Sequence, residues 1–252
     1  PLHAGRAAEA GVLAGLGASK GLIGSLDVLD GDTGFGVAMS SAADWSKATE
    51  ALGSRWHIAS MTFKNHGCCG HTFAAIDGAL ILQQRLQLSR NNILEDIQSI
   101  EVASYAEALA VANIAQPRTA AEAKFSMRYV VAHALLYGAV RLDAVSASRL
   151  EDRAIRELMK RIEVREDAAI SAAFPKQRAA SVTINLRDGT RETHFQPTRI
   201  GDPDAPLSDA ALSDKFLELS SAQLGETGAS AALELLWHIE HSNDNLCFRR
   251  PT

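Results

Sequence analysis

The sequence predicts an α+β fold, helical at both ends with a mainly antiparallel sheet between, and three observations carry that reading. The chain opens on an alanine-rich run of helical composition at 7–16. Its middle alternates in polarity at 97–103 and 181–186, and an Asp188-Gly189 turn joins the second run to a return segment at 191–195, the pattern of a hairpin. Beyond the proline- and aspartate-rich stretch Gly201-Asp202-Pro203-Asp204-Ala205-Pro206-Leu207-Ser208, helical periodicity resumes.

In chain order, Pro1-Leu2-His3-Ala4-Gly5-Arg6 leads into a helix whose alanines and glycines let another helix approach closely. His3 and Arg6 lie at its positive end, where they suit an anion or, equally, a solvated first turn. Residues 19–54 read as a glycine-punctuated connector with short helices. Gly31-Asp32-Thr33-Gly34-Phe35-Gly36 lacks the lysine and the spacing of a phosphate or dinucleotide loop, so it is read as a turn that packs Phe35. An amphipathic helix is expected at 44–52 and an arm at 55–63. The 97–103 strand puts Ile100 and Val102 on a common face. A long apolar helix at 129–142 carries His133, read as a hydrogen-bonded core histidine. A helix at 150–159, a short strand at 161–164 and the hairpin follow, with His194 expected at the surface. Helices at 209–221 and 229–241 close the chain, the second with Leu233, Leu236 and Trp237 inward.

The densest chemistry lies in Phe63-Lys64-Asn65-His66-Gly67-Cys68-Cys69-Gly70-His71-Thr72-Phe73. An apolar arm delivers this polar elbow to a helix that Thr72 can cap and whose seam is Ala75, Ala79, Leu82 and Leu86. The glycines permit close backbone approach, and free amides at a helix start favour an anion. With Lys64, His66 and His71 alongside, the elbow reads as a carboxylate-binding, proton-moving site. A zinc site competes poorly, because vicinal Cys68-Cys69 cannot both point at one ion as ligands two or more residues apart do. Histidines that merely cap a helix and cysteines that fill core remain the other reading.

Composition narrows the partners. At 252 residues the chain can bury a substantial core, and 46% hydrophobic with 22% charged residues is ordinary for a globular protein. A net charge of -5 without a Lys/Arg-rich face argues against nucleic acid. Three cysteines make no disulfide framework, so a cytoplasmic location is expected. No apolar run reaches membrane-spanning length and no signal peptide is visible, so no membrane partner is expected.

Four motifs in order, the opening Pro1-Leu2-His3-Ala4-Gly5-Arg6, the elbow through Asp77, Glu122-Ala123-Lys124-Phe125-Ser126-Met127-Arg128-Tyr129, and Gly201-Asp202-Pro203 with Lys215-Phe216, resemble the C-terminal half of the MmgE/PrpD family. The resemblance implies a helical domain with an inserted α+β lid, residues 1–56 and 203–252 belonging to the former and 57–202 to the latter. It also implies a homodimer, no cofactor, no metal, and an N-terminal helical half that completes the site. The implied activity is a dehydratase of a small di- or tricarboxylate such as 2-methylcitrate, by proton abstraction next to a carboxylate. An epimerase of an imino- or amino-dicarboxylate and a non-catalytic dimerisation subunit are the alternatives. Within the resemblance, Lys64, His71 and His3 are assigned to catalysis and Arg6, Cys69 and Thr72 to substrate binding, with acid and base left open. The resemblance also implies that Cys69 stands where some decarboxylase-like members carry a histidine, which weighs against decarboxylation.

Overall fold

A computed structural model describes residues 2–241; Pro1 of the opening motif and 242–252 of the expected C-terminal segment lie outside the described residues. The chain divides into two compact units, Pro1–His57 and Ile58–Thr252.

In the first unit the alanine-rich run forms a helix, Leu2–Ser19, with no buried residue of its own. Two expectations change here. Phe35 is exposed, and it is Gly36 that is buried, because a Cβ there would come within 2.5 Å of the Trp45 ring. The expected 44–52 helix is reduced to a 3₁₀ turn, Trp45–Ala48. Asp44 accepts from the Ser46 amide and hydroxyl, a local bond that competes with helix propagation.

The second unit is built on a four-stranded sheet, β1 (Ile97–Ser104), β2 (Ile162–Glu166), β3 (Ala180–Leu186) and β4 (Arg191–Gln196), in the order β2-β1-β3-β4. The hairpin forms as predicted, with Val182 opposite His194. β1 and β3 are antiparallel, but β2 runs parallel to β1, Val102 facing Val164, so the sheet is mixed rather than mainly antiparallel. The reason is connectivity: a chain that leaves β1 through several helices returns in the same direction.

Helix Phe73–Arg85 lies across β3 and β4 and against helix Met127–Tyr137, and is buried nearly all round. Phe73, Ile76, Ala79 and Leu82 meet Ile100, Val102, Leu135 and Val182 in one core. Burying a side chain the size of Phe73 contributes about 1.5–3 kcal/mol. Gly78 permits the approach, since a Cβ there would sit 3.2 Å from Val182 Cγ2 and 3.6 Å from His194 Cδ2. His194 is accordingly half-buried under the helix rather than on the surface, bonded through Nε2 to Gln196 Oε1 at 3.0 Å.

The arm at 55–63 makes a 3₁₀ turn at His57–Ser60 and then runs extended. The Phe63 amide donates to the Gly201 carbonyl at 2.8 Å. Gly201 has φ 106°, and a Cβ on it would lie 2.0 Å from the Phe63 carbonyl oxygen. Gly201→Ala is therefore expected to cost at least about 2 kcal/mol, read as a lowered urea midpoint. The C-terminal helices form as one element, Asp209–Trp237, interrupted at Gly225 (φ 68°, ψ 167°). Leu233 and Leu236 are half-buried, whereas Trp237 is 40% exposed instead of inward; its indole N–H donates to Ser213 Oγ at 3.0 Å across the break.

His133 lies in the predicted apolar helix, which ends early because Gly138 takes φ 82°. It is 1% exposed against the Tyr137 ring, but neither ring nitrogen has a hydrogen-bond partner among the described residues. Burial lowers its pKa from 6.5 to about 4. Between those values the unfolded chain binds a proton that the fold refuses, so stability is complete above about 6.5 and falls as pH drops toward 4. The loss amounts to about 3 kcal/mol. Urea unfolding across this range should show that slope, and His133→Leu should remove it.

Candidate functional site

The elbow is held by a buried pair. Val140 N–H donates to His66 Nδ1 at 3.3 Å, so Nε2 carries the ring proton and donates to Asp77 Oδ1 at 3.1 Å. The other carboxylate oxygen of Asp77 accepts from Ile200 N–H at 2.9 Å. With side chains 0% and 1% exposed, His66 and Asp77 join the elbow, the core helix and the segment after β4. His66 stands edge-on to Phe73, which fixes its ring plane. It is thus a fastener of the elbow and not one of its working groups.

His71 occupies a 3₁₀ turn, Gly70–Thr72, at the start of the core helix. Its Nδ1 shares a 2.7 Å hydrogen bond with the Tyr105 hydroxyl, and its second ring nitrogen makes none among the described residues. Tyr105 follows β1 and stacks on Phe174 at 4.5 Å, with His71 tilted against the same two rings. Burial first, then the positive Arg178 and Arg199, hold His71 below the ordinary histidine value of 6.5, partly offset by Glu107. Burial pushes the Tyr105 phenol up to about 12, so it keeps its proton. A neutral imidazole bonded to a neutral phenol can take a proton at one nitrogen while the phenol serves the other.

Arg199 is 8% exposed and turns its Nε and Nη2 edge to Asp202, at 2.8 and 2.5 Å. Nη1 reaches toward the elbow, since a Cβ on Gly70 would lie 3.1 Å from it. Arg178, half-buried beside the Phe174 ring, has no ion-pair partner among the described residues. Both arginines line a hollow of about 270 Å³. A permanent, planar cation next to a neutral imidazole is an arrangement able to bind a carboxylate and to move a proton beside it.

The other sequence candidates fall in different places. Lys64 is exposed and lines a separate cavity of about 180 Å³ with Arg141, Lys215 and Glu218; Lys215 Nζ donates to the Lys64 carbonyl at 2.5 Å. Burial, with Arg141, lowers the pKa of Lys215. Cys69 is half-buried near Tyr105. Thr72 stands at the N-cap position, yet its hydroxyl donates back to the Cys69 carbonyl at 2.8 Å and leaves the core helix without a side-chain cap. Cys68, bonded to Thr72 Oγ1 at 3.3 Å, is raised to about 12 by burial and is an inert thiol. His3 and Arg6 belong to the other unit, three residues apart on the Leu2–Ser19 helix, where Arg6 pairs with Glu9.

Sequence reading missed Tyr105, Arg178 and Arg199. Arg199 stands two residues before the Gly201-Asp202-Pro203 motif, the one sequence signal that marks it; Tyr105 and Arg178 carry none. Among the described residues the elbow cysteines and histidines form no metal-ligating group; the group of that kind is His238, Glu240 and His241, exposed at the chain's far end.

The family model described as the MmgE/PrpD C-terminal domain matches residues 66–240, a span that holds His66, His71, Asp77, Tyr105, Arg178 and Arg199. Cis-aconitate decarboxylase of Mus musculus is 25% identical over 251 residues, covering 97% of this chain and 50% of that protein. Cis-aconitate decarboxylase of Homo sapiens is 25% identical over 247 residues, with the same coverage. The chain spans about half the length of the curated relatives it matches.

Proposed function

The chain belongs to the MmgE/PrpD family, and from that premise we propose that it supplies the proton-moving half of a lyase acting on a small polycarboxylate. The observation that carries the reading is the His71–Tyr105 hydrogen bond beside Arg178 and Arg199. Removing a proton from carbon next to a carboxylate builds a second negative charge on that carboxylate, so a fixed cation must face it. Arg178, unpaired among the described residues, takes that place, while Arg199, half-neutralised by Asp202, sets the field around His71. The free nitrogen of neutral His71 takes the proton, and Tyr105 holds the other nitrogen in register. Loss of a β-hydroxyl then completes a dehydration, of which 2-methylcitrate is a fitting substrate.

Decarboxylation is the second reading, favoured by the names of the two relatives. The same groups serve it in reverse, His71 giving a proton to carbon as carbon dioxide departs. Cys69, near Tyr105, stands where the family resemblance implies a histidine in some decarboxylase-like members, which supports the dehydration reading. A homodimer in the cytoplasm completes the proposal.

Ultraviolet absorbance of the conjugated double bond tests it, with 2-methylcitrate, citrate and cis-aconitate as substrates. The assay uses this chain alone and extended upstream to its relatives' length. Appearance or loss of absorbance with the extended chain supports a polycarboxylate lyase; inertness toward all three removes it. In the active form Arg178→Gln is expected to raise KM by about 10- to 100-fold, the worth of one charged hydrogen bond, with a smaller change in kcat.

A further inference from the structure

A cavity of about 680 Å³, larger than the hollow beside Arg199, opens elsewhere in the second unit, between residues 115–118, helix Arg153–Met159 and the edge strand β2. Its walls carry Arg118, Arg128, Arg156 and Lys160 against a single carboxylate, Glu163. The two inner guanidiniums are held by neutral acceptors. Arg128 donates to the Ile162 carbonyl at 3.1 Å and to Asn113 Oδ1 at 2.7 Å. Arg156 donates to the Leu150 carbonyl at 2.8 and 2.6 Å and to the Pro117 carbonyl at 2.8 Å. These bonds fix the forks without cancelling their charge, and among the described residues Arg118, Arg128 and Arg156 form no ion pair. Only Lys160 is partnered, by exposed Glu157.

Two fixed guanidiniums with Arg118 and Lys160 beside them outweigh Glu163 and the Glu157 partner of Lys160, and the net positive potential that results is worth most to a multiply charged anion. Bidentate forks match phosphate and carboxylate oxygens alike. Size separates the two. The volume falls in the range of whole cofactor sites, and a small polycarboxylate would leave much of it unfilled. Pro117, Met159 and Ile162 add apolar wall that a carboxylate has no use for.

We propose that this cavity binds an organic phosphate of nucleotide dimensions, its phosphates against Arg118, Arg128, Arg156 and Lys160 and its uncharged part against Pro117 and Met159. The site shares no residue with the His71 cluster and stands whether or not the lyase reading does.

Isothermal titration of the full chain with ADP, ATP, tripolyphosphate and citrate tests the proposal. ADP and ATP should bind one per chain, with citrate at least about ten-fold weaker. An Arg118→Gln, Lys160→Gln double variant removes two exposed side chains that support no buried contact. It should weaken ATP binding at least about ten-fold with an unchanged thermal melt. The proposal is overturned if neither nucleotide binds at millimolar concentration, if the double variant binds them as tightly, or if tripolyphosphate or citrate binds more tightly than ATP.

Discussion

His71→Asn is expected to lower kcat by about 10²–10⁴-fold in the extended, active chain while the thermal melt stays in place. The ring is half-buried at the edge of the core, and its one hydrogen bond among the described residues, to Tyr105, is of a kind an asparagine amide can partly replace. What asparagine cannot replace is a group that accepts a proton near neutral pH. Tyr105→Phe should fall between the wild type and the histidine variant, because it removes the hydroxyl that holds Nδ1 and leaves the imidazole itself. The pH profile supplies an independent check. His71 acts as a base only when neutral, so kcat/KM should rise with pH through its folded pKa and level off above it. Burial, Arg178 and Arg199 place that rise below the ordinary 6.5. On the alkaline side Tyr105 keeps its proton to about 12 and imposes no decline of its own in the working range. Arg178→Gln, which removes one of the two depressing charges, should move the acid limb upward.

Asp77→Ala is expected to destabilise the second unit by about 3–5 kcal/mol, read as a lower urea midpoint at unchanged m. The carboxylate satisfies two donors at once, His66 Nε2–H at 3.1 Å and Ile200 N–H at 2.9 Å. Alanine leaves both buried without an acceptor, and the elbow loses its tie to the core helix. Asp77→Asn, which keeps one acceptor but turns an N–H₂ toward the other donor, should cost less. An unchanged midpoint for Asp77→Ala would show that the elbow is held by other means, such as the Gly67 amide on the Val140 carbonyl at 2.8 Å.

What was legible in the sequence was local. The β3–β4 hairpin follows from alternation and a glycine turn, and the core helix from its seam of Ala75, Ala79 and Leu82, all within neighbouring residues. The parallel pairing of Val102 with Val164 was not legible, because nothing near either residue encodes the direction in which a chain returns from several helices. Burial was misjudged where context decides it. Phe35 and Trp237 look like core residues by size and remain exposed, whereas His194 looks polar and lies under Gly78. The candidate site divides the same way. His71 stood out within a dense motif, but Tyr105, Arg178 and Arg199 come from separate segments that only the sheet brings to it. His66 and Asp77 were visible in that motif without any sign that they bond each other rather than a substrate.

Proton NMR of cis-aconitate turnover in D₂O tests the central claim most directly. Hydration adds water across the double bond, and decarboxylation with a shift of the double bond takes up one proton at the carboxylate-bearing carbon that the double bond leaves, so either reaction must place one solvent-derived hydrogen on carbon. The account predicts a product carrying a single deuterium next to a carboxylate, formed at a rate that collapses in His71→Asn. Deuterium incorporation that proceeds undiminished in that variant, or a product that carries none, would contradict the assignment of proton transfer to His71 and Tyr105.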